Sequence, residues 1–140
     1  MRVRIRAPIY PTEDQSRVSD ALNHLFPDVK FKIVQEDNIS WLQYESSNVT
    51  TLSTLRNMIH ETRIIDATRR IIESRWTETT TSIRLDKMAA LQRKIRLIDH
   101  DDKPPLGTIE IILSMEEPYQ LEEFLSWFTP LTKDGQIVKV

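Results

Sequence analysis

The chain of 140 residues contains no cysteine. Disulfides, thiolate metal sites and cysteine nucleophiles are thereby excluded together, and the composition fits a reducing interior. Glycine is almost as scarce, with only Gly107 and Gly135. A phosphate-cradling P-loop and a dinucleotide-binding GxGxxG turn both need several glycines close together, so neither motif is available. No apolar run approaches the roughly 20 residues of a membrane helix. The N-terminus alternates arginine with apolar residues and lacks the apolar block of a signal peptide. A cytoplasmic protein without membrane attachment is expected.

What is present describes an ordinary globular protein. The hydrophobic fraction is 39% and the charged fraction 29%, well away from the composition of disordered chains. One domain over 1–140 is expected at this length. The net charge of −2 conceals an asymmetry. Residues 56–96 carry ten basic and five acidic side chains, a balance of +5, against nine basic and sixteen acidic, or −7, elsewhere. A local positive field attracts polyanions even on an acidic molecule.

MRVRIRAPIY alternates with the period of a half-buried strand, setting Val3, Ile5 and Ala7 against Arg2, Arg4 and Arg6. Thr12 and Gln15 suggest a capping box before a helix through Val18, Ala21, Leu22, Leu25 and Phe26, ended by Pro27. VKFKIV (29–34), with Val29, Phe31 and Ile33 facing in, and ISWLQYE (39–45) flank Asp37-Asn38 and predict a hairpin. Residues 50–75 have helical spacing, as one helix or two with a bend near Thr62. TETTTSIRL (77–85) and LQRKIRLI (91–98) read as neighbouring strands joined by DKMAAL, and GTIEIILSM (107–115) as a third. A last helix follows Pro118, with Leu121, Phe124, Leu125 and Phe128 on one side and a loose tail from Thr129. The order predicts an α+β fold, a largely antiparallel sheet with helices on one face and a polar face left open.

No enzyme signature is present. His24, His60 and His100 belong to no zinc pattern, and HETRI lacks the second histidine of HExxH. Asp99-His100-Asp101-Asp102 offers carboxylates to a hard cation, but it sits in a proline-terminated loop without ligand spacing and reads as a solvated hairpin tip. There is no GxSxG turn. The pairs Glu116-Glu117 and Glu122-Glu123 suit the first turn of a helix. Neither a cofactor nor a metal is expected.

The basic segment carries more information. Over residues 62–75, Ile64, Ile65, Thr68, Ile71 and Ile72 share an arc opposite Arg63, Asp66, Arg69, Arg70 and Glu73. Asp66 with Arg70 and Arg69 with Glu73 are i,i+4 pairs that account for much of that face without a ligand. In 91–98, Lys94 and Arg96 share one strand face, and no acidic residue lies between Asp86 and Asp99. Two readings stand level. Beside Arg2, Arg4 or Arg6 these cations would form a strip for phosphate; alternatively, charge protects an exposed strand from aggregation. Tyr10, Trp41, Tyr44 and Trp76 lie outside the basic strand, and the RNP1 pattern is absent, so sequence-specific reading of a single strand has no support, while contacts to the shape and phosphates of folded or double-stranded RNA need no stacking platform.

Several segments together resemble an archaeal family of RNA-binding proteins, uncharacterised protein family 0201. They are MRVRIRAPIYPTED, ALNHLFPD, LRNMIHETRIIDATRR, LDKMAA and PPLGTIEIIL, spread over most of residues 1–115. RIIDATR is close to the family's R-I-L-D-x-x-R, and LDKMAA to its L-N-K-Q-A-A, keeping Lys87 while Asp86 and Met88 replace Asn and Gln. The resemblance implies an archaeal source, a fold like that of the large-subunit ribosomal protein that binds 5S RNA, and a dimer. It supplies no catalytic residues, and a shared fold does not carry function. The expectation is a non-enzymatic RNA-binding or ribosome-associated protein touching phosphate through Arg63, Arg69, Arg70, Lys87, Lys94 and Arg96. The alternative is a homodimeric interaction or assembly module, in which the basic segment meets acidic surface.

Overall fold

A computed structural model describes residues 1–99, 102–133, 136 and 137. Strand β1 (Arg2–Ile9) lies at the centre of a five-stranded sheet, between β3 (Ile39–Ser46) and β5 (Thr108–Ser114). The outer strands are β2 (Lys32–Glu36) beside β3 and β4 (Thr80–Asp86) beside β5, and every pairing is antiparallel. The expected α+β sheet is present. Helices α1 (Gln15–Leu25), α2 (Ser53–Glu61), α3 (Ile65–Ser74), α4 (Lys87–Leu91) and α5 (Gln120–Phe128) complete the layer, with a 3-10 turn at Val49–Leu52 and a short hairpin of β6 (Thr132–Lys133) and β7 (Gln136–Ile137).

Alternation in β1 and β5 decides which face is covered. Val3, Ile5, Ile111 and Leu113 are wholly buried and join Leu22, Leu55, Ile59, Ile72 and Phe128 from the helices in one core. Each such side chain contributes about 1.5–3 kcal/mol relative to exposure. The opposite face carries Arg2, Arg4 and Arg6 from β1 and Lys32, Trp41, Gln43, Glu110 and Arg84 from its neighbours, all exposed or half-buried.

Several local expectations change. Helix α1 is capped by Asp14, whose Oδ1 accepts the Ser16 amide at 3.0 Å, rather than by a box of Thr12 and Gln15. The hairpin turn is as predicted: Asp37 and Asn38 take φ of 54° and 63°, matching the twist of the strands they join. Ile33, expected to face in, is 50% exposed on β2, an edge strand of the sheet paired with β3. Thr129, placed in the loose tail, is wholly buried.

Residues 50–75 form two helices. The Arg63 and Ile64 amides donate to the His60 and Ile59 carbonyls, each at 3.2 Å, with Arg63 at φ 58°. This is a Schellman stop, whose left-handed position is ordinarily filled by glycine. The same arrangement ends α4, where the Arg93 and Lys94 amides donate to the Ala90 and Ala89 carbonyls and Arg93 has φ 61°. That stop explains why 91–98 is not the predicted strand. After it the backbone meets β4 through a bridge of Leu97 to Leu85 and bonds of Asp86 to Arg96 and Ile98 to Arg84 rather than through a continuous ladder.

Candidate functional site

The six cations singled out in the sequence divide into two groups. Lys87 is not on the surface. It follows Asp86, whose side chain caps α4 by accepting the Met88 amide at 3.0 Å, and this turn drives the lysine inward. Its Nζ is wholly buried, donates to the Pro8 carbonyl at 2.7 Å, pairs with Glu13 and lies 4.8 Å from the centre of the Tyr10 ring. Burial holds its pKa below the ordinary lysine value, against the opposing pull of Glu13.

Arg69 is likewise engaged. Its Nε donates to Glu73 at 2.9 Å, the predicted i,i+4 pair, and its Nη1 to the Thr129 carbonyl at 3.0 Å. Arg56 and His60 donate to the Trp127 and Phe128 carbonyls at 2.6 and 2.8 Å. Three consecutive carbonyls at the end of α5, unsatisfied within the helix, are thus closed by side chains of α2 and α3. Asp66 accepts the Thr132 hydroxyl instead of meeting Arg70.

Arg96 joins two carboxylates, Asp86 at 3.1 Å and Asp102 at 2.6 Å. Its hydrogen bonds to Asp102 and then Asp86 raise its pKa further. Both partners are near in sequence, ten residues before Arg96 and six after it, and the path of the chain after α4 brings them to its guanidinium. Asp102 is therefore occupied, and residues 100 and 101 of the acidic loop lie outside the described residues. Among the described residues no three histidine or carboxylate side chains group as metal ligands, and no helix is long and apolar enough to cross a membrane.

Arg63, Arg70 and Lys94 form the second group. All three are exposed, and none of their side chains has a hydrogen-bond or ion-pair partner among the described residues. They stand on the α2–α3 break, the flank of α3 and the loop after α4. The open sheet face adds Arg4 and Lys32, exposed and equally without a partner among the described residues. Arg2 instead pairs with Glu45 at 2.9 Å and Arg6 with Glu36 at 3.0 Å.

That face also contains a feature missed in the sequence. The β1–β3 register sets Pro8 opposite Trp41 and Arg6 opposite Gln43, so Arg6 and Trp41 are diagonal neighbours. The Arg6 guanidinium lies 4.1 Å from the Trp41 ring centre. Tyr10 and the loop before β5 complete a cleft of about 340 Å³. Trp41 and the basic residues are far apart in the chain, and only strand pairing brings them together.

Comparison with known proteins agrees with this architecture. Residues 2–115 match the family model described as RNA binding. The UPF0201 protein of Thermococcus kodakarensis is 29% identical over 133 residues, covering 95% of this chain and 92% of that protein. A UPF0201 protein of Sulfolobus acidocaldarius is 28% identical over 134 residues, with 96% and 90% covered. The crystal structure of a UPF0201 protein from Methanococcus jannaschii superposes with a TM-score of 0.83 at 25% identity, covering 99% of this chain and 100% of that one. With the family model spanning all five strands of the sheet and relatives aligned nearly end to end, the chain belongs to the RNA-binding family that includes the UPF0201 proteins.

Proposed function

We propose that the chain is a non-enzymatic RNA-binding protein that holds the phosphates of structured RNA through unpaired surface cations. The observation that carries this reading is the survival of Arg63, Arg70 and Lys94 as exposed side chains without carboxylate partners among the described residues, joined by Arg4 and Lys32 on the open sheet face. A cation free to neutralise a phosphate displaces a counterion condensed on the RNA, whereas one already held by a carboxylate must first give up that partner. Lys87, Arg69 and Arg96 are therefore removed from the contact set, and the family description supports the ligand class. Filter binding of a structured RNA at increasing salt tests the proposal. Affinity should fall steadily as salt rises; absence of binding at low salt, or binding indifferent to salt, refutes it.

A homodimer is a second reading, favoured by the free edge of β2 and its half-exposed Ile33. Unpaired strand edges are templates for pairing with another chain. Light scattering at micromolar concentration separates this reading from a monomeric RNA binder.

A further inference from the structure

We propose that the cleft on the open sheet face receives one unpaired nucleotide of the bound RNA, its base against Trp41 and Tyr10 and its phosphate near Lys103. The inference rests on the RNA-binding reading above and adds a site to it.

Four strands and a loop build the cleft. Arg6, Pro8 and Tyr10 come from β1 and its end, Trp41 from β3, Arg84 from β4 and Glu110 from β5, while the loop before β5 adds Lys103 and Gly107 together with Asp102, whose carboxylate is turned to Arg96. Gly107 adopts φ +81°, and a Cβ there would stand 3.0 Å from both Pro8 Cγ and Tyr10 Oη. The absent side chain lets the loop close against the aromatic wall. At about 340 Å³ the cavity is at the small end of ligand sites, where roughly 300 Å³ is the lower bound, and suits a single nucleotide.

Its chemistry is that of a base and a phosphate together. Trp41 and Tyr10 are half-buried, presenting aromatic surface that accepts any base by stacking. Arg6 is fixed in advance by its stack on Trp41 and its bond to Glu36. Lys103 is exposed and has no partner among the described residues. Glu110, cross-strand from Arg6 and Arg84, has no bonded partner among the described residues and is the acceptor available for an exocyclic amine.

The same chemistry belongs to a free mononucleotide, and the test separates the sources. Anisotropy is measured with a labelled RNA hairpin whose loop is unpaired, a blunt duplex of equal length, and adenosine monophosphate as competitor. The variants are Trp41→Leu, which keeps an apolar side chain but removes stacking, and Lys103→Glu, on an exposed side chain whose change leaves the core untouched. Both should weaken hairpin binding, Trp41→Leu by roughly five-fold or more, with duplex binding nearly unchanged. Hairpin binding that is unaltered in both variants overturns the cleft while leaving the phosphate reading intact. Absence of binding to either RNA overturns both. Competition by the mononucleotide at concentrations comparable to the hairpin assigns the cleft to a free nucleotide and overturns the RNA assignment.

Discussion

Lys87 and Glu13 form an ion pair inside the protein, the lysine fully enclosed and the glutamate side chain 8% exposed. Glu13 Oε1 also accepts the Tyr10 amide at 3.0 Å, so one carboxylate joins the end of β1 to the start of α4. Removing one member of a buried pair strands the other, at a cost of roughly 3–5 kcal/mol. Lys87→Met should lower stability in urea unfolding by about that amount. Adding Glu13→Leu should restore most of it, because replacing both charges by apolar groups removes the stranded carboxylate. Recovery in the double variant, with salt-dependent RNA binding retained, would establish Lys87 as structural; a lysine acting on phosphate would instead lower the salt slope in the folded double variant.

How much of this was legible in the sequence depended on the range of the interaction. The Asp37-Asn38 hairpin and the alternating faces of β1 and β5 follow from local chemistry and were readable. The ends of α2 and α4 were not, because a chain with two glycines places Arg63 and Arg93 in the left-handed conformation where glycine is the usual signal. The apolar alternation of 91–98 then imitates a strand across a helix stop. Lys87 looked like a surface cation because its partner lies 74 residues away. Arg96 looked unpaired because its partners, Asp86 and Asp102, lie ten residues before it and six after, separations that the path of the chain after α4 closes. The Trp41 and Arg6 stack depends on strand register, which no single segment encodes.

Asp14 ties stability to acid. Its bonds to Ser16 stabilise the carboxylate and hold its pKa below 3.8. A depressed carboxylate contributes stability that is complete above its unfolded value and lost as pH falls through the folded one. Asn caps a helix as well as Asp but does not ionise. Asp14→Asn should therefore leave the urea midpoint nearly unchanged at neutral pH and give a shallower decline than the parent protein below pH 3.8. Parallel declines in the two proteins would show that the Asp14 cap contributes nothing to acid sensitivity.

Gly107 is a position in the cleft wall where a side chain is strained. Its φ of +81° disfavours any side chain, and a Cβ would press on Pro8 and Tyr10 at 3.0 Å. Gly107→Ala should destabilise by roughly 1–3 kcal/mol, measured by urea unfolding. Tyr10 also lies over the Lys87 ammonium, so displacement of its ring should appear as shifted Tyr10 resonances in an aromatic NMR spectrum. A variant as stable as the parent, with those resonances unmoved, would mean that the loop gives way without cost.

Arg63 allows binding and stability to be driven in opposite directions. Its side chain is exposed, has no partner among the described residues and follows a backbone at φ 58°. In that conformation a non-glycine residue costs roughly 1–2 kcal/mol, offset in part by the extra freedom glycine has when unfolded. Arg63→Gly should raise the urea midpoint, corresponding to a net gain of about 0.5–1 kcal/mol. The same change removes a cation proposed to contact phosphate, so RNA affinity at low salt should fall and the log–log salt slope should shrink by about 0.7–0.9. Arg69→Gln should behave in the reverse manner, losing its bonds to Glu73 and Thr129 and thus stability, with the slope preserved. If Arg63→Gly stabilises the protein but leaves both affinity and slope unchanged, the α2–α3 break lies outside the RNA contact surface, and the binding falls to the remaining free cations, Arg70 and Lys94 or Arg4 and Lys32.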